Sequence, residues 1–381
     1  MQTEQDGEPL LGGLLVLDLS QGIAGPYCGM VLRQQGARVI KVEPPSGDWG
    51  RQMGRAREGN TAISIAYNAG KESVVLDTRQ QEGRAALRRL AEKADIIIQN
   101  FRPGVAERMG AGYAELSKAN PKLIYVSISG YGPEGPAKDL PALDTTMQAV
   151  SGLMYVNRDA AGQPRRIGLV LVDLTTGLYA AQSVGMALYR AALNGHGRHI
   201  QVSMLQTSAA LQSYVVLDDA MFPGDESAIF NVPTGLFATR TGLLYLSMLN
   251  DAMFERLAGL LGFDDWLADA SLRTSAGRMP RADEMNQRVR AVFATQTLEY
   301  WEALLADNDI LFGRVGHPRD LCSNAQAQHM GLFSSLMQKG LGELPWAGVP
   351  GNGSFQPAPG DAPELGQHTE AVFTEFGLDL A

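Results

Sequence analysis

Between Leu14 and Met204, short runs of branched apolar residues alternate with longer stretches whose apolar positions recur at helical spacing. The runs Leu14–Leu19, Ala37–Glu43, Ser73–Asp77, Asp95–Asn100, Leu123–Ile128, Ile167–Val172 and His199–Met204 predict strands. Helical spacing predicts helices over Pro26–Gln35, Gln80–Lys93, Asp144–Met154 and Leu174–Leu193. Strands and helices in this order predict an α/β fold, a doubly wound, Rossmann-like parallel sheet. After Gln206 the rhythm changes. Phe237–Thr239 and Leu243–Met248, joined by Arg240-Thr241-Gly242, read as a hairpin, and helices are expected at Asp251–Leu261, Ala282–Ala294 and Leu298–Asp307. That is a smaller α+β unit. Beyond Met330 the chain is rich in Gly and Pro, notably over Pro345–Gly360, and reads as an extended linker returning to the first domain. The expected division is therefore a large domain of residues 1–206 plus 331–381 and a small domain of residues 207–330.

Within this pattern Asp173 stands out, because it falls where the predicted strand Ile167–Val172 gives way to the long helix with small residues at Gly177, Ala181 and Gly185. The carboxyl edge of an open parallel sheet is where ligands bind. Aspartate there has two readings: an N-cap for the helix, among the best of the twenty residues, or a nucleophile kept ionised by free amides and the helix dipole. The residues around it leave both open.

The opening Leu14–Leu19, with Gly22, Gly25, Pro26 and Gly29 behind it and Glu43 ending the second strand, resembles a dinucleotide-binding unit. The glycines, however, fall as GxxGxxxG, and Pro26 removes one N–H that a pyrophosphate could use. Nicotinamide chemistry is the weaker reading.

Length and composition narrow the classes further. At 381 residues and 45% hydrophobic, the chain can bury more than one core. A net charge of −9 argues against nucleic acid or an anionic membrane as partner, while Arg102 and Arg108 could still hold a phosphorylated ligand. No apolar stretch approaches the ~18 residues of a membrane span, and Met1–Leu10 carries no secretory pattern. Cys28 and Cys322 then read as reduced thiols of a soluble cytoplasmic protein. The five histidines show no metal-ligand spacing, so no metal site is expected.

Several segments, taken in order, resemble the family III CoA-transferases, the CaiB/BaiF family. They are AGP at Ala24–Pro26, GARVIKVEPP at Gly36–Pro45, GKESVVLD at Gly70–Asp77, NFRPG at Asn100–Gly104, RMG at Arg108–Gly110, SGYGPEGP at Ser129–Pro136, QAVSGLM at Gln148–Met154 and PELGQHT at Pro363–Thr369. The resemblance spans nearly the whole chain. It implies that Asp173 is the catalytic residue, alternating between mixed anhydrides and an aspartyl-CoA thioester while CoA passes from a donor acyl-CoA to an acceptor acid. CoA is then a substrate, and no tightly bound cofactor is implied. The resemblance also implies a CoA-binding set matching Ile23, Leu76, Arg79, Asn100, Phe101, Arg102, Arg108, Met109 and Tyr131. The arginines suit phosphate groups and Phe101 and Met109 offer apolar surface, although each could equally be solvated charge or core. An interlocked homodimer is implied as well.

Departures from the family bear on specificity. Ile23, Pro44 and Ser129 stand where formyl-CoA transferase carries Gln, Arg and Lys, which points away from formyl or oxalyl groups. Residues 225–233 replace a Gly-Asn-x-His segment that borders the acceptor pocket in relatives. Succinate or another small dicarboxylate is the expected acceptor class. The α-methylacyl-CoA racemases of the same fold use a His where this chain has Leu143, and leucine cannot exchange a proton. An acyl-CoA-binding protein without turnover is the alternative outside catalysis.

Overall fold

The computed structural model describes residues 8–159, 161–224, 231–352 and 359–378. The chain divides into two compact units, Met1–Val216 with His329–Ala381, and Leu217–Gln328. In the first unit the chain runs β1 (Leu15–Asp18), α1 (Ala24–Gln34), β2 (Arg38–Glu43), a small hairpin of β3 (Ala56–Arg57) and β4 (Asn60–Thr61), α2 (Ala62–Asn68), β5 (Glu72–Val75), α3 (Gln81–Lys93) and β6 (Ile96–Gln99). It continues with α4 (Val105–Arg108), α5 (Tyr113–Ala119), β7 (Ile124–Ser129), α6 (Asp144–Val150), α7 (Leu153–Val156), α8 (Leu171–Asn194) and β8 (Arg198–Ser203).

Six strands form one parallel sheet in the order β5-β2-β1-β6-β7-β8. Both faces are covered, which is why the central strands are buried along most of their length and mostly apolar. Ile96 and Ile98 of β6 enter one core with α1 and α8, while Ile97 between them enters the other with α3. The edge strand β8 instead alternates between buried and more open positions. At the opposite edge, the closing segment covers β5: His368 N donates to Ser73 O at 2.9 Å, and Thr369 Oγ1 accepts from Val75 N at 3.0 Å. The Pro363–Thr369 motif is thus a lid on a sheet edge. The strand order reverses between β1 and β6, and ligands of such sheets bind in the crevice at that point.

Three expectations need correction. Ile167–Val172 is not a strand: β8 lies beside β7, and the run's backbone is held by side chains of α6, with Leu171 and Val172 already in α8. The expected helix Asp144–Met154 is two helices, broken where Gly152 takes φ +87°. The Gly/Pro-rich return is not extended throughout, since Phe333–Gln338 and Gly342–Ala347 form an antiparallel hairpin whose Leu336 and Trp346 enter the core under α1.

The second unit builds its own core. Gly235–Ala238, Leu243–Leu246 and Phe312–Arg314 make an antiparallel sheet, and the helices Asp251–Leu260, Ala282–Phe293 and Leu298–Ala306 bring Phe254, Phe293 and Trp301 into the same cluster as its buried strand residues.

Candidate active site

Asp173 occupies the third position of α8, in its first turn, while Val170 is the N-cap and supplies no side-chain bond. The aspartate is therefore not the cap. That task falls to Asp144 of α6, whose Oδ2 accepts from Val172 N at 2.8 Å and from Asp173 N at 3.1 Å. Gln148, one turn further along α6, donates to Asp144 Oδ1 at 2.6 Å and to Leu169 O at 3.1 Å, and its Oε1 accepts from Ile167 N at 2.8 Å. One face of α6 thus fixes the approach to α8 by side chains alone. The pair stands at the i, i+4 spacing that puts two residues on one helix face; that spacing was the available signal for a role that sequence reasoning missed.

Burial, and then the neighbouring carboxylate of Asp144, push the Asp173 carboxyl up to about 7. Among the described residues no salt bridge reaches Asp144 or Asp173. Four residues on, Gly177 meets α1 so closely that a Cβ there would lie 2.5 Å from Ala24 O and 3.0 Å from Tyr27 Cδ1. The Tyr27 ring in turn packs edge-on against Tyr67 of α2, with centroids 5.6 Å apart. The Tyr67 phenol is pushed up to about 12 by burial, by Tyr27 and by Asp173. Both tyrosines belong to the surroundings of the carboxylate, and neither was singled out from the sequence.

The other predicted residues lie along the carboxyl edge of the sheet. Asn100, just past β6, spans the point where the strand order reverses: its Oδ1 accepts from Gln21 N at 2.8 Å and its Nδ2 donates to Gln21 O at 2.7 Å. Phe101 follows it, half-buried, with its N–H donating to Gln99 Oε1 at 2.8 Å. Met109, after α4, is also half-buried against the α3 core. Arg102 and Arg108 are exposed and, among the described residues, have no ion-pair partner. Arg79 is exposed but already paired with Asp77 through two bonds of 2.8 Å. Tyr131, past β7, packs in a small apolar cluster with Met147, Leu153 and Val172, the last adjacent to Asp173.

Ile23 and Leu76, the two remaining residues of the expected set, are buried, at 2% and 5% exposure. The stretch 225–230, expected beside the acceptor pocket, lies outside the described residues.

The turn after β1 is built against a nucleotide phosphate. Gly22 N–H donates to Asp48 Oδ1 at 2.7 Å, and Gly50 N–H donates to the same oxygen at 2.7 Å. An internal carboxylate thus takes the amide a pyrophosphate would use. The Trp49 indole fills the space above Gly22 where a Cβ would stand. Lys41 Nζ neutralises Asp48 at 2.8 Å and donates to Ser20 O at 2.7 Å. Beneath them Asp18 pairs with Lys71 at 2.8 Å, both fully buried. Burial alone would raise the Asp18 carboxyl, but Lys71 and Lys41 outweigh it and hold it below the ordinary carboxylate value.

Among the described residues no group of three His, Cys, Asp or Glu side chains could hold a metal ion, and no helix is long and apolar enough to cross a membrane.

Comparison with known proteins places this geometry. The family model described as CoA-transferase family III matches residues 11–369. A succinate–glutarate CoA-transferase of Agrobacterium fabrum is 31% identical, covering 97% of this chain and 96% of the relative. An acetyl-CoA:oxalate CoA-transferase of Acetobacter aceti is 32% identical over 97% and 96%. The crystal structure of a CaiB/BaiF family protein from Brucella suis superposes with a TM-score of 0.86 at 28% identity, covering 97% of this chain and all of that one.

Proposed function

The chain belongs to CoA-transferase family III, and from that premise we propose that Asp173 is the covalent carrier in a CoA transfer between two carboxylic acids. The observation that carries this reading is a carboxyl group in the first turn of α8, raised to about 7 by burial and by Asp144 and paired with no cation among the described residues. A carboxylate of that basicity is a better nucleophile than an ordinary aspartate and is still substantially ionised near neutral pH.

The ionised Asp173 attacks the carbonyl of the donor thioester, giving a mixed anhydride and CoA thiolate. The thiolate attacks the aspartyl carbonyl, releasing the donor acid and forming an aspartyl-CoA thioester. The acceptor's carboxylate attacks that thioester, giving a second mixed anhydride and thiolate again. Attack of the thiolate on the acceptor-derived carbonyl forms the new acyl-CoA and restores Asp173. Each step exchanges one activated acyl bond for another, so no external energy source enters.

CoA fits the carboxyl edge of the sheet, with Arg102 and Arg108 for its phosphates and Phe101, Met109 and Tyr131 for its apolar parts. Arg79 would first have to leave Asp77. A small dicarboxylate such as succinate is the proposed acceptor class, in keeping with the activity named for the Agrobacterium relative. A second copy of the chain suits the outward stripe of α8, where Leu178, Met186, Tyr189 and Leu193 recur at helical spacing and remain exposed. Size-exclusion chromatography with light scattering tests that association.

Incubation with an acyl-CoA followed by hydroxylamine should cleave or modify the chain at Asp173, located by peptide mass spectrometry. An unmodified Asp173 alongside measurable transfer sinks the covalent reading. The racemase alternative lacks a second base at Leu143, which is 57% exposed at the start of α6. Deuterium uptake at the α-carbon of an acyl-CoA, without added acid, would favour it instead.

A further inference from the structure

An aspartate in the first turn of a helix ordinarily accepts from the free amides there, and those donors lower its proton affinity. In α8 two of these amides, Val172 N and Asp173 N, are already bound by Asp144 Oδ2 at 2.8 and 3.1 Å. Asp144 is 5% exposed and its other oxygen is held by Gln148 at 2.6 Å, so the arrangement is packed in place.

We propose that Asp144 is a positioning residue that fixes the first turn of α8 and withholds its amides from the carboxylate of Asp173. A neutral cap in the same place would seat the helix equally well. Choosing a carboxylate adds a negative charge beside the nucleophile and leaves it a stronger base. The other titratable group that feels Asp173 is the phenol of Tyr67 on α2, with the phenol of Tyr27 on α1 packed behind it. Both are pushed above their ordinary value, so they are neutral near pH 7. Among the described residues no cation pairs with Asp173 to offset the second carboxylate. The direction of tuning follows: removal of the Asp144 charge makes Asp173 ionise at lower pH and attack more slowly once ionised.

The inference rests on Asp173 as nucleophile, so wild-type protein is first trapped with acyl-CoA and hydroxylamine. Absence of a product at Asp173 overturns the nucleophile reading itself. With that product present, the pH dependence of kcat/KM is measured for wild type, D144N and D144S, two neutral caps of different size. The expected result is an acid limb displaced downward by about one pH unit, with kcat at pH 8.5 reduced on the order of ten-fold and acyl-CoA binding retained. An acid limb left in place in a folded variant overturns the role of Asp144 alone. Loss of folding in both variants, read by circular dichroism, would assign Asp144 to folding and overturn the role equally. A purely structural residue could slow the enzyme but would not move the limb.

Discussion

Two carboxylates in the first unit each receive a backbone amide from a remote part of the chain, and they differ in what neutralises them. Asp48 takes Gly22 N and Gly50 N and is met by Lys41 at 2.8 Å, above a second buried pair of Asp18 and Lys71. Asp144 takes Val172 N and Asp173 N and is met by the neutral amide of Gln148, with another carboxyl group beside it. At the first place every buried charge has its opposite, and the result is a fixed turn. At the second the charges are of one sign, and a proton becomes easy to keep. Buried charge left unbalanced is the mark of a site that reacts.

The comparison breaks first, and most severely, at Asp173. D173A should lower CoA transfer by about a thousand-fold or more while acyl-CoA binding, followed by calorimetry, stays within a few-fold; near-normal turnover would remove Asp173 from the chemistry. Next in size is K71M, which removes the direct partner of the buried Asp18 and leaves it only the more distant charge of Lys41, and should cost about 3–5 kcal/mol in urea unfolding. A loss below about 1 kcal/mol would mean that the balanced site is not held by its charges. At Gly177 an added Cβ has backbone 2.5 Å away, so G177A should cost about 1–3 kcal/mol and lower kcat through displacement of α8. An unchanged melting temperature would mean that the contact between α1 and α8 relaxes freely.

Two smaller effects follow from the proton at Asp173. Because the reacting form is ionised, kcat/KM should fall about ten-fold per pH unit below about 7 and level above it. A flat profile between pH 5 and 8 would count against the raised value. Stability runs the other way. A carboxyl raised from 3.8 unfolded to about 7 folded favours the folded state only while protonated. Its cost is absent near pH 4, grows as pH rises to 7 and is constant above. D173N should therefore be more stable than wild type at pH 8 by about 1–3 kcal/mol and equal to it near pH 4, as read from paired thermal melts. A gain at both pH values would point to packing rather than charge.

Much of the first unit was legible because its central strands are buried on both faces and therefore written as short runs rich in branched apolar residues. β1, β2, β5, β6, β7 and β8 all fall within two residues of their expected bounds. The same rule failed at Ile167–Val172, because an apolar run specifies burial and not hydrogen-bond partners. The neighbouring ladder position belongs to β8, and Gln148 and Asp144 supply the bonds a sheet would have supplied. Gly152 offered a possible break within Asp144–Met154, but a lone glycine inside a helical pattern does not decide between a tolerated residue and a left-handed turn.

At the site, sequence alone located Asp173 and its two possible roles, since residue type and the change from apolar run to small-residue helix are local facts. It also named Arg102 and Arg108 as candidates for phosphate groups and Leu143 as the residue that separates a transferase from a two-base racemase. What only the tertiary structure decided is which residue caps α8, which carboxylate raises Asp173, and which charges cancel under Gly22. Asp144 and Asp173 are separated by 29 residues, and Asp18 and Lys71 by 53. Distance between charges, and the water removed from around them, set a carboxylate's proton affinity. Neither quantity is written along a chain until folding brings its distant parts together.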